Sequence, residues 1–124
     1  MQVDNRRLFI NFSNHPSCLW GEAQMEAARQ YGEVEDFPFP MVSPELSADD
    51  VHRLADEYAV LLRKSFGLQI TVHIMGEMTF TFKIVTRLKE LGIRCVASTT
   101  ERKVTCNADG VKQSEFRFVK FREY

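Results

Sequence analysis

Ile70-Thr71-Val72-His73-Ile74-Met75-Gly76-Glu77-Met78-Thr79-Phe80 is the stretch on which the fold turns. Six β-prone residues, mostly apolar, read as a buried strand. Gly76-Glu77 breaks the run in two residues. A helical period follows from about Met78 to Leu91, with Phe80, Ile84, Val85, Leu88 and Leu91 on the face that would meet a sheet. Gly92 stops the helix and Ile93 to Ala97 is apolar again. Strand, tight turn, helix and strand within thirty residues make a βαβ unit, which implies parallel strands joined by a right-handed crossover.

The same alternation extends toward the N-terminus. Leu8 to Ser13 reads as a first strand, ended by Asn14-His15-Pro16-Ser17. Gly21 to Tyr31 reads as a helix with Met25, Ala28 and Tyr31 on one face, followed by Gly32. Glu33 to Phe39 reads as a second strand, and Pro38, Pro40 and Pro44 impose a loop. Ser47 is placed to cap a helix whose first turn holds Asp49 and Asp50, and Val51, Leu54, Ala55, Tyr58, Leu61, Leu62 and Phe66 give it an apolar face up to Gly67. Toward the C-terminus, Val104 to Asn107 and Ser114 to Phe121 flank Asp109-Gly110, a hairpin signal. The expectation is an α/β domain, 1–124, with a Rossmann-like parallel sheet of order about 2-1-3-4, helices on both faces, and a C-terminal antiparallel β-hairpin.

Bulk properties narrow the function. The chain has 124 residues and a formal net charge of −1, which argues against a protein that coats long DNA or RNA. Cys18, Cys95 and Cys106 are odd in number and widely spaced, without a CxxC. Neither a disulfide framework nor a zinc site is expected, and a reducing cytoplasm is the simplest setting. Asp4, Asn5, Arg6 and Arg7 precede only a short apolar run, so no secretory leader is expected. No stretch reaches the roughly 18 apolar residues of a membrane span. GxGxxG and Walker P-loop fingerprints are absent, and no cofactor or metal is expected.

In open α/β sheets ligands bind beyond the carboxyl ends of the strands, where the strand order reverses. Here that point lies between strands one and three. The loops expected there are 13–17 and 75–79, with a wholly polar loop after strand four, Ser98 to Lys103, beside them. Ser13, Asn14, Ser17, Thr79, Ser98, Thr99 and Thr100 offer hydroxyls or amides. Gly76 lets backbone approach a ligand, and the helix after Glu77 offers free N–H groups to an anion. His15, Arg102 and Lys103 can carry positive charge. Residues 1–93 hold 9 Lys and Arg against 13 Asp and Glu, whereas residues 94–124 hold 7 against 4, so the basic end includes the loop after strand four. Bland readings stand beside these. Asn14-His15-Pro16 can be an ordinary turn with Ser17 as a helix cap, and Gly76-Glu77 a plain βα turn. Trp20 reads first as packing and second as a stacking platform, and His73 as a satisfied core histidine.

The segment from Cys95 through Ala97-Ser98-Thr99-Thr100-Glu101-Arg102-Lys103, then Asp109-Gly110, then Phe116 to Tyr124, resembles the C-terminal pattern of small CRISPR-associated Csx proteins of type III systems. Met75-Gly76-Glu77-Met78-Thr79-Phe80 looks like the equivalent glycine turn. The resemblance implies a CARF-like Rossmann fold and a homodimer that binds cyclic oligoadenylate, above all cyclic tetra-adenylate, across its two-fold axis. Some such proteins are metal-independent ring nucleases, in which a ribose 2′-hydroxyl attacks its neighbouring phosphate. The resemblance would make His15, Arg102 and Lys103 catalytic: Arg102 and Lys103 at the phosphate, His15 as base or acid. Ser13, Asn14, Gly76 and Thr79 would hold phosphate or ribose, and Glu101 would orient Arg102. The alternatives are a sensor or sponge that does not cut the ring, and an interaction domain with no nucleotide.

Overall fold

Residues 7–124 are described by a computed structural model. The segment read for a leader, 1–6, lies outside them. β1 (Leu8–Ser13), β2 (Glu33–Asp36), β3 (Ile70–Met75), β4 (Arg94–Cys106) and β5 (Lys112–Glu123) form one sheet in the order β2-β1-β3-β4-β5. β2, β1, β3 and the first residues of β4 are mutually parallel, and β5 runs antiparallel to β4. The helices are α1 (Glu22–Arg29), α2 (Ala48–Phe66) and α3 (Met78–Glu90), with a single 3-10 turn at Ser17–Leu19.

Strand alternation sorts the side chains into two layers. Ile10 and Phe12 of β1 and Val72 and Ile74 of β3 face α2 and α3, where they pack with Val51, Leu62, Phe80 and Ile84 in the larger core. Phe9 of β1, Val96 of β4 and Phe121 of β5 face α1 and form a smaller core around Ala28, with Trp20, Tyr31 and Phe118 at its margin. Helices therefore cover both faces, as expected for parallel strands. Burying each large apolar side chain contributes about 1.5–3 kcal/mol, so the α2–α3 side carries most of the stability. The α1 side is aromatic and thinner.

The local signals act as read. Ser47 and Asp50 form a reciprocal capping box at the start of α2. Gly110 has φ 76°, left-handed backbone that a glycine adopts without strain, and closes the turn between β4 and β5. Two elements are shorter than expected: β2 stops at Asp36, and α1 starts at Glu22 and stops at Arg29.

The polar stretch Ser98 to Lys103 is not a loop. β4 runs unbroken through it to Cys106, paired with β5 from Val96↔Glu123 to Cys106↔Lys112, with one register shift at Thr99/Thr100. β3 pairs with β4 only as far as His73↔Val96. Past that point the β4–β5 ribbon leaves the body of the sheet, and from Glu101↔Arg117 outward both of its faces are exposed, so its polar composition signals exposure and not irregular backbone. Among the described residues no helix is long and apolar enough to cross a membrane.

Candidate functional site

Because β4 stops pairing with β3 at Val96, a gap opens at the carboxyl end of the sheet, next to the β1 and β3 termini. A cavity of about 460 Å³ lies there. Its walls are Ser13, Asn14 and His15 after β1, Trp20 and Gln24 from the α1 segment, His73 to Gly76 at the end of β3 (Ile74 excepted), and Ser98 and Thr100 on β4. Among the described residues no carboxylate, Lys or Arg lines it. Two larger hollows, of about 600 and 680 Å³, involve Arg7 and the opposite end of the sheet or the outer side of β2. We place the site in the smaller one because it lies at the switch point between β1 and β3, where parallel sheets expose strand ends and loop amides.

The wall is built on a row of polar side chains set by strand register. Asp36, Asn11 and His73 are side by side on β2, β1 and β3. Asn11 Nδ2 donates to Asp36 Oδ1 and to the His15 carbonyl, both at 2.8 Å. Both partners are acceptors, so the amide orientation is determined. Asn11 Oδ1 then accepts from Ser13 Oγ at 2.7 Å and lies 2.9 Å from His73 Nδ1, which must carry the proton. Asp36 also accepts from the Ser17 amide and hydroxyl, tying the 3-10 turn to β2. This network holds the 13–17 loop in place from beneath.

His73 is 2% exposed and stacks on Phe9, with Trp20 and Phe121 edge-on at 5.5 and 5.2 Å. Burial, with a smaller contribution from nearby His15, pushes its imidazole down to about 4, so the ring is neutral near pH 7. Among the described residues its Nε2 has no hydrogen-bond partner. The reading of His73 as a satisfied core histidine is thus half right: one nitrogen is satisfied and the other is not.

Ser98 marks the opposite wall. Its amide and hydroxyl both point to the Met75 thioether, at 3.3 and 2.7 Å. Sulfur is a weak acceptor, so a ligand oxygen could replace it. Thr100 is exposed beside it.

The other expected site residues have different occupations. The N-terminus of α3 is not free for an anion: Glu77 accepts from the Thr79 and Phe80 amides and from the Thr79 hydroxyl. These bonds, that from Phe80 foremost, hold the Glu77 carboxyl below its ordinary range. Gly76 lines the cavity, but a Cβ there would lie 2.3 Å from the Phe39 ring, so its smallness serves close packing first. Ser17 is bound to Asp36. Thr99 donates to the Lys120 carbonyl. Glu101, Arg102 and Lys103 are exposed on the ribbon. Arg102 shares the cleft face with Ser98 and Thr100 by alternation but bonds Ser114, while Glu101 and Lys103 point to the other face. The structure therefore brings together Ser13, Asn14, His15, Gly76, Ser98 and Thr100, and leaves Ser17, Glu77, Thr79, Thr99, Glu101, Arg102 and Lys103 off the cavity wall. Among the described residues no cluster of His, Cys, Asp and Glu could hold a metal ion.

Over residues 7–122 the sequence matches the family described as "Uncharacterized protein MJ1673 family". The chain belongs to that family. No curated protein gives a significant match. The match covers β1 to β4, the three helices and all but the last residue of β5, and every residue that lines the cavity falls within it.

Asn11, Asp36 and the open nitrogen of His73 were not found by sequence reasoning. A signal existed. Asn11 and His73 are each a lone amide or imidazole inside an otherwise apolar strand, and such residues are kept where something pairs with them.

Proposed function

We propose that the cavity binds an adenine ribonucleotide, most specifically cyclic tetra-adenylate held between two copies of this chain, and that the chain opens the ring without a metal. The observation that carries this reading is the composition of the wall: two imidazoles, one indole and several hydroxyls at the switch point, with no carboxylate among the described residues to repel phosphate. The C-terminal resemblance to small CRISPR-associated Csx proteins supplies the specific ligand.

In this reading the 2′-oxygen bonds to phosphorus as the P–O5′ bond breaks, leaving a 2′,3′-cyclic phosphate and a 5′-hydroxyl. One proton leaves the 2′-hydroxyl and one reaches O5′. His15, exposed at the mouth of the cavity, is the group placed to move a proton. Ser13 and Ser98 would position phosphate or ribose. Arg102, two residues beyond Thr100 on the same face, is the nearest fixed cation along β4, and it would have to exchange Ser114 for phosphate. Lys103 and Glu101 have no such path from the other face. The second copy would close the cavity along the projecting ribbon, where Phe116 is 69% exposed.

A second reading, a sensor or sponge that binds without cutting, is favoured by one observation: among the described residues no permanently charged cation lines the wall to stabilise a phosphorane. Labelled cyclic tetra-adenylate incubated with excess protein in EDTA separates the two. Linear product with a 2′,3′-cyclic phosphate end is the expected result, abolished in His15→Ala. A bound but intact ring overturns cleavage. No binding and no thermal shift overturns the nucleotide reading altogether.

A further inference from the structure

We infer that His73 reads the base of the bound nucleotide, its Nε2 accepting a hydrogen bond from the exocyclic amino group of an adenine that enters beside Trp20. The inference rests on the nucleotide reading above and names the contact by which that ligand is selected.

The argument starts from the orphan atom. A buried acceptor without a partner costs about 1–3 kcal/mol, and folds rarely leave one in place. The row Asp36–Asn11–His73 shows how it is maintained. Asn11 has both amide hydrogens committed to acceptors, so its oxygen can only accept, and His73 must donate through Nδ1. The proton therefore cannot move to Nε2 without breaking that bond. The neutral ring that burial enforces leaves Nε2 a fixed, buried lone pair on a residue that lines the cavity.

The surroundings say which donor fits. Nε2 is in a nest of aromatic rings: Phe9 on β1, Phe121 on β5 and Trp20. A ribose with its phosphates would lose too much hydration there, whereas the flat edge of a purine would not. Three of the four rings, His73 included, are anchored on strands. Trp20 is not: it sits on the connector between the 3-10 turn and α1, next to Gly21, and is only partly buried. It is the ring that can shift to admit a base and then stack on it. An amino group satisfies the lone pair. A purine edge bearing hydrogen on carbon at that position gives it no partner.

The test uses the whole chain, with labelled cyclic tetra-adenylate as the bound probe and two competitors, AMP and purine riboside 5′-monophosphate, which lacks only the amino group. AMP is expected to displace the probe about five- to ten-fold better, the value of one neutral hydrogen bond. Its binding is expected to change the emission of Trp20, the single tryptophan of the chain. In His73→Phe the preference should vanish, with binding of the probe itself weakened by a similar factor. AMP competing no better than its analogue, or a preference that persists in His73→Phe, overturns the inference and leaves the nucleotide reading standing. Failure of the unmodified protein to bind cyclic tetra-adenylate overturns both. The comparison of competitors on the unmodified protein is decisive even if His73→Phe does not fold.

Discussion

Acidification probes His73 directly, because its ring is kept neutral chiefly by burial, with His15 acting in the same direction. In the unfolded chain its imidazole takes a proton near the ordinary 6.5, and in the folded protein only near about 4. Between those values the unfolded state binds more protons, so stability falls as pH drops through that window and the loss is complete below the folded value. The gap corresponds to about 3 kcal/mol in full, of which about 2 kcal/mol is lost between roughly pH 7.5 and pH 5. Nearby His15 opposes a second positive charge and acts in the same direction. Urea unfolding followed by circular dichroism at stepped pH measures the slope. His73→Phe is the control: it keeps a ring of similar size among Phe9, Trp20 and Phe121, and Asn11 Oδ1 still accepts from Ser13. The unmodified protein should lose about 2 kcal/mol more than the variant over that interval. Parallel pH profiles for the two would refute the assignment of a buried, neutral, Nδ1-protonated ring.

Gly76→Ala would push a methyl into the Phe39 ring, which is itself packed against Phe12 and Phe80. A loss of about 1–3 kcal/mol in urea unfolding is expected, and an unchanged midpoint would show that the ring can yield freely. The thiols should fall into two classes. Cys18 and Cys106 are exposed, while burial pushes the Cys95 thiol up to about 12. Under native conditions a disulfide reagent should modify Cys18 and Cys106 rapidly and reach Cys95 only on unfolding; fast modification of Cys95 would contradict its place in the α2–α3 core.

The short polar-to-apolar rhythms were readable because they are local. The helix period of α2 and α3, the cap at Ser47 and the short apolar runs of β1 and β3 each depend on residues within a few positions of one another. They were enough for the order of elements and, with right-handed crossovers, for the strand order. The ribbon was misjudged for a physical reason. Ser98 to Lys103 has the composition of a loop, and what makes it a strand is eleven paired positions on β5, a partner the local sequence does not reveal.

The candidate site divides the same way. That the strand ends between β1 and β3 would be the place to look followed from strand order alone, and Ser13, Asn14, His15, Gly76, Ser98 and Thr100 line a cavity there. Which polar groups would already be spoken for did not follow. Glu77 fills the helix end that seemed open to an anion, and Arg102 and Lys103 lie on a ribbon whose alternation sends them to opposite faces. Asp36, Asn11 and His73 are far apart in the chain and side by side in the sheet, a matter of register between three strands. Sequence by itself determined the elements, their order and the end of the sheet where chemistry can occur, since these follow from local periodicity and chain chirality. Only the tertiary structure decided that the lone pair of one buried histidine is left without a partner, because hydrogen-bond satisfaction is settled by residues that meet across strands.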